Sequence, residues 1–184
     1  MAKSTSRARA KIIAYKCITY SVFLFLLGVL QVSFFSRINV LGATPDLILG
    51  ATLTLAMLED HKTSCICGIV AGLFYHSLGG FSYPLYIVFS FFCAYIFWIL
   101  SQNVLGKNYV SFLVLSALIY GAKAIFNMVD ALLFSSTFNL FAVIGKIVIP
   151  EFISSMIFCT ISYLIFMILT KIFNRKSRKE GTQK

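Results

Sequence analysis

CITYSVFLFLLGVLQVSFF, residues Cys17–Phe35, runs for nineteen positions without a charged side chain. As an α-helix it would be about 28 Å long, close to the roughly 30 Å hydrocarbon thickness of a bilayer. Its apolar residues do not alternate with polar ones, so a half-buried strand is excluded and a membrane-spanning helix is indicated. The rest of the chain has the same character. Of its 184 residues, 59% are hydrophobic and only 12% charged, whereas soluble domains are about one quarter charged. A water-soluble fold of this length has too little interior to hide so much apolar surface. The fold class is therefore all-α: a polytopic membrane helical bundle forming one compact unit.

Upstream, residues 1–16 form a basic arm carrying Lys3, Arg7, Arg9, Lys11 and Lys16. No small-residue cleavage site follows the first run, so a cleaved signal peptide is not expected. Met1-Ala2 does not supply the glycine that myristoylation needs. Downstream, apolar runs recur at 44–58, 65–78, 83–100, 109–134 and 140–173, the last too long for one span and interrupted by Lys146, Pro150 and Glu151, with short polar turns such as Glu59-Asp60-His61-Lys62 and Ser135-Ser136-Thr137 between runs. This divides the chain into the arm, a bundle over 17–173 and a basic tail over 174–184. Lys171, Arg175, Lys176, Arg178, Lys179 and Lys184 lie at or after the last run. With both ends in the cytoplasm, Lys62 and Lys107 also fall inside and only Arg37 lies in an outer loop, as the positive-inside bias requires. Ends on one side demand an even number of spans, and about six are expected. The second and third runs are shorter than the roughly 20 residues of an ordinary span, so these two either lean on their neighbours or re-enter.

The net charge of +10 does not indicate nucleic acid. The basic residues flank membrane spans and would meet anionic lipid headgroups. Five cysteines lack a CxxC pair, and His61 and His76 lie far from any cysteine pair. Neither a disulfide frame nor a zinc site is implied, and no cofactor is expected. No Ser–His, Cys–His or paired-carboxylate arrangement supports catalysis.

Three features stand out within the apolar sequence. Thr44-Pro45-Asp46 opens the second run: Thr44 suits an N-cap, Pro45 a first helical position, and Asp46 the positive end of the helix dipole. Gly68 and Gly72 form a GxxxG pair that lets a second helix approach closely, either a span of this chain or a partner. Lys123, Asp130, Lys146 and Glu151 are charges within apolar runs. Each would cost about 2.5–3.5 kcal/mol at a helix centre if left alone. If the turn near Thr137 is the tip of a helical hairpin, Asp130 and Lys146 fall at similar depth, as do Lys123 and Glu151. Two cross-hairpin ion pairs, Asp130–Lys146 and Lys123–Glu151, follow.

Leu30-Gln31-Val32-Ser33, Gly42-Ala43-Thr44-Pro45-Asp46-Leu47-Ile48-Leu49, Ala56-Met57-Leu58-Glu59 and Gly68-Ile69-Val70-Ala71-Gly72-Leu73 together resemble the bacterial rod-shape-determining MreD family. His76 stands where that family usually has an aspartate. The resemblance covers roughly residues 30–80 and implies a non-enzymatic scaffold of the cell-elongation machinery in the bacterial cytoplasmic membrane. Such a scaffold would bind the bitopic shape protein MreC and, through it, link the MreB filament to peptidoglycan synthases, with Pro45, Asp46, Gly68 and Gly72 as packing or partner positions. The family is also similar in fold to the membrane-embedded substrate-binding components of energy-coupling-factor transporters. That similarity implies an alternative, a vitamin-binding module with Asp130, Lys146 and Glu151 lining a pocket.

Overall fold

A computed structural model of the chain describes the backbone of residues 2–35, 37, 44–78, 85–103, 106, 108–134 and 144–182. Side chains are described for these except 2–13, 85, 129–134, 146–147 and 172–182. Among the described residues there are six α-helices: α1 Ala2–Leu30, α2 Leu47–Leu58, α3 His61–Ser77, α4 Leu85–Asn103, α5 Tyr109–Phe134 and α6 Ile149–Thr182. A π-helical turn, Gln31–Phe35, continues α1, and another, Ile144–Val148, leads into α6. Pro150 is the second residue of α6, directly after that π-helical turn. What the chain shows there is a change from a π-helical turn to an α-helix that runs on from Ile149.

Successive helices run in opposite directions. Lys16, early in α1, meets Glu59 at the end of α2, while Gln31, after α1, meets the start of α2. His61 at the start of α3 lies against Trp98 late in α4, and Tyr75 late in α3 stacks on Tyr86 early in α4. Tyr109 at the start of α5 packs on Tyr163 of α6, and Lys123 late in α5 reaches Glu151 at the start of α6. The bundle thus has an Asp46 end and a Glu59 end, and α1 begins and α6 finishes on the side of the latter.

Four helices are long and apolar enough to cross a membrane, over Ala14–Phe35, Tyr86–Asn103, Tyr109–Met128 and Ile149–Lys171. About a third or less of each of these segments is buried within the molecule, so their outer faces need an apolar solvent. Ile18, Val22, Phe25 and Leu26 of α1, Val110, Val114, Leu118 and Ile125 of α5, and Ile153, Ile157, Leu164 and Ile168 of α6 are exposed. In water such faces would form patches far larger than soluble proteins carry; lipid covers them.

The short α2 is the centre. Every residue from Leu47 to Met57 is buried, and α2 touches all five other helices. Its sequence is apolar or small all round, the pattern of a helix enclosed on every side. The hydroxyls of Thr52 and Thr54 donate to Ile48 O and Gly50 O one turn back, so neither is left unsatisfied. Gly50 lets α6 cross close by: a Cβ there would lie 3.2 Å from Cys159 Cα. On one side Leu49, Leu53 and Met57 pack with Phe97, Phe112, Leu115 and Tyr163. On the other, Ile48, Ala51 and Leu55 pack with Tyr20, Leu24, Ala71 and Phe166.

Two expected boundaries shift. The cap of α2 is Asp46, not Thr44: the Asp46 backbone is extended and its Oδ1 accepts from Leu49 N at 3.0 Å. Pro45 is buried just ahead of the cap and outside the helix, and Thr44 is exposed. A residue before proline is held away from the α region, which suits an entering strand of chain. The polar turn at 59–62 is also shorter than the sequence suggested, because His61 and Lys62 already belong to α3.

Candidate functional site

The N-terminus of α2 leaves backbone N–H groups without intrahelical acceptors, and it lies deep in the bundle. Side chains from distant parts of the chain satisfy them. Gln31 Oε1 accepts from Leu47 N at 2.9 Å and from Ile48 N at 3.2 Å, and Ser155 Oγ accepts from Asp46 N at 2.9 Å. With Asp46 Oδ1 on Leu49 N, four consecutive N–H groups have partners.

The other carboxylate oxygen of Asp46 starts the charge cluster. Asp46 Oδ2 accepts from Lys123 Nζ at 2.6 Å and from Tyr86 OH at 2.9 Å. Lys123 Nζ also donates to Glu151 Oε1 at 2.7 Å. Tyr120 OH, one turn before Lys123, donates to Asp46 O at 2.9 Å. The ammonium lies 5.8 Å from the centroid of the Tyr75 ring, which stacks on Tyr86 at 4.2 Å. The side chains of Asp46 and Lys123 are 1% and 3% exposed, and that of Glu151 is 21% exposed. All six helices or their extensions therefore meet at one point.

Two carboxylates around one ammonium leave a formal excess of one negative charge. Asp46 caps α2 and Glu151 stands in the first turn of α6. Each helix N-terminus contributes about half a positive charge, which offsets that excess. A void of about 10 Å³ adjoins the cluster, lined by Tyr120, Lys123, Ala124, Val148, Glu151 and Phe152. It has room for about one water molecule. Both carboxylates are committed to the same lysine, and the tyrosine hydroxyls already donate. The arrangement holds helices together.

A second cluster closes the opposite end of α2. Glu59 accepts from Lys16 Nζ at 3.0 and 3.1 Å and from Tyr20 OH at 2.6 Å. Glu59 is buried, so its expected place in a solvated polar turn is corrected: the negative C-terminal end of α2 and a carboxylate need the Lys16 cation beside them. Asp60, His61 and Lys62 are exposed.

The residues singled out in the sequence fare differently. Lys123 and Glu151 are in contact, and Asp46 joins them, which the sequence reading treated separately. Side chains of Asp130 and Lys146 lie outside the described residues. Gly68 and Gly72 face α4: a Cβ on Gly68 would lie 2.9 Å from Ala94 Cβ, and one on Gly72 would lie 2.6 Å from Ile87 Cα. Their contact is with this chain's own helix, so that face is closed to a partner. His76, in the last turn of α3, is half-buried. Tyr86, Tyr120, Ser155, Gln31 and the Lys16–Glu59–Tyr20 cluster were not foreseen. One signal was present: in an alternating bundle the start of α2 and the start of α6 share a depth, which brings Asp46 level with Glu151. Compared with protein-family models, curated proteins and solved structures, the chain matches none.

Proposed function

We propose that this chain is a non-enzymatic membrane scaffold of the kind implied by its resemblance to the MreD family. It crosses a bacterial cytoplasmic membrane six times, with both termini in the cytoplasm. It holds a single-span shape protein similar to MreC and connects it, indirectly, to an MreB-like filament and to peptidoglycan synthases.

One observation carries the reading. Among the described residues, Asp46, Lys123 and Glu151 are spent on one another around the cap of α2, which leaves the lipid-facing helix surfaces and the basic ends for recognition. The charge distribution agrees. By the alternation of helices, Lys3 to Lys16, Lys62 and Lys171 to Lys179 fall at the Glu59 end, whereas Arg37, Lys123 and Lys146 fall towards the other. A bias of that kind directs the basic end to the cytoplasm. The 12-residue α2 is about 18 Å long; enclosure by five neighbours supports counting it among the spans.

The test is extraction of the tagged protein from its native membranes, with mass spectrometry of co-purified proteins and small molecules. The expected result is a single-span shape protein at constant ratio. Recovery of a vitamin together with transport ATPase subunits would replace the scaffold reading with that of a transport-binding module. Interface variants belong on exposed positions such as Ile66, Ile69 and Leu73 of α3, which face away from the Gly68–Gly72 contact.

A further inference from the structure

We propose that the two basic ends of the chain stand out from the membrane as adjacent helices and form a docking cleft for an acidic helical segment of a soluble cytoplasmic protein. This rests on the membrane placement proposed above, but not on the identity of the single-span partner.

The first observation is continuity. α1 is one helix from Ala2 to Leu30, and its apolar membrane segment begins at Ala14. α6 is one helix from Ile149 to Thr182, and its membrane segment ends at Lys171. Neither helix breaks where it leaves the hydrocarbon. An arm that lies along the headgroups needs a bend at that point; an unbroken helix carries its residues outward along the axis of the span. At about 1.5 Å per residue, Lys3 and Arg7 stand about 10–17 Å beyond Ala14, and Arg178 and Lys179 about 10–12 Å beyond Lys171. The headgroup layer is only about 5–8 Å thick on each side. These four positions therefore lie past it, at distances where a Debye length of about 8 Å weakens attraction to the chain's own lipids.

The second observation is proximity. Both extensions leave from the Glu59 end, and their parent helices touch just inside it: the Phe166 ring lies 6.2 Å from that of Tyr20 and 6.0 Å from that of Phe23. The third is charge. Residues 2–13 carry Lys3, Arg7, Arg9 and Lys11 with no acid, and residues 172–182 carry Arg175, Lys176, Arg178 and Lys179 with Glu180 alone against them. Lys3, Arg7 and Lys11 recur every fourth residue and share one face of α1; Lys171, Arg175 and Arg178 share one face of α6. A cation every three or four residues along each helix matches a helix bearing Glu or Asp at the same spacing.

The probe is a fluorescent Glu-rich helical peptide, titrated onto the full-length protein in nanodiscs of zwitterionic lipid. Binding is expected, weakening by about tenfold or more between low and high salt and by a similar factor in Lys3→Glu/Arg7→Glu/Arg178→Glu/Lys179→Glu. The neutral Lys3→Gln/Arg7→Gln variant should fall between, and both variants should melt like the parent, since these positions lie outside the bundle. Absence of binding, or binding indifferent to the substitutions, overturns the inference. So does loss of binding in discs containing anionic lipid, which would lay the arms on the bilayer, or equal binding of a single-stranded oligonucleotide. Peptide binding without recovery of a single-span shape protein would reject the scaffold reading and leave this one standing.

Discussion

Lys123 is the side chain on which most depends. It is sealed between Asp46 and Glu151, and removing its charge strands two carboxylates among helices. Lys123→Met should cost about 3–5 kcal/mol, as breaking a buried ion pair from one side does, read as an early thermal transition in detergent. Adding Asp46→Asn and Glu151→Gln to Lys123→Met should recover part of that loss. A triple variant no more stable than the single one would deny that stranded charge is the cause. At the other end of α2, Glu59→Gln should cost less, because the amide oxygen still accepts from Tyr20 and Lys16 remains partly exposed. The sequence allowed Lys123 and Glu151 to be matched by depth alone. It did not reveal Asp46 as the third member because a local role, at the start of a helix, already explained that residue. Nor did it reveal buried Glu59, which sits among three polar neighbours that are exposed.

Among helices, the glycines distinguish tight contacts from open ones. Gly72 touches the backbone of α4, whereas a Cβ on Gly121 of α5 would have nothing within 4 Å. Gly72→Leu should therefore destabilise by about 1–3 kcal/mol or more through overpacking. Gly121→Ala should be neutral or stabilising by up to about 1 kcal/mol through helix propensity. Paired melting curves check both; equal effects would mean that α3 and α4 are not in close contact. The apolar runs revealed the helices well, and the predicted fifth run coincides with α5. They did not reveal the rank of α2. Its shortness suggested a segment shielded by its neighbours or a re-entrant one, and what makes it central is tertiary: a helix with no polar face can be enclosed, but only the other five show that it is.

At the scale of the molecule, the proposed orientation is open to direct labelling. In a background with Cys17 and Cys65 replaced, Lys62→Cys should react with an impermeant maleimide only from the cytoplasmic side, and Thr44→Cys only from the outer side. Both parent residues are exposed, at opposite ends of the bundle. The reverse pattern would turn the molecule over and remove the cytoplasmic placement of the basic helices. Enclosure of α2 also bears on how the protein is made. Asp46 leaves the ribosome 77 residues before the lysine that neutralises it. At about 5–20 residues per second that is roughly 4–15 seconds, during which a 12-residue helix with a bare carboxylate must be housed by the insertion machinery or kept near the lipid surface. Only when the last two helices arrive can it sink into place, so biogenesis of this protein finishes from its second segment and not from its last.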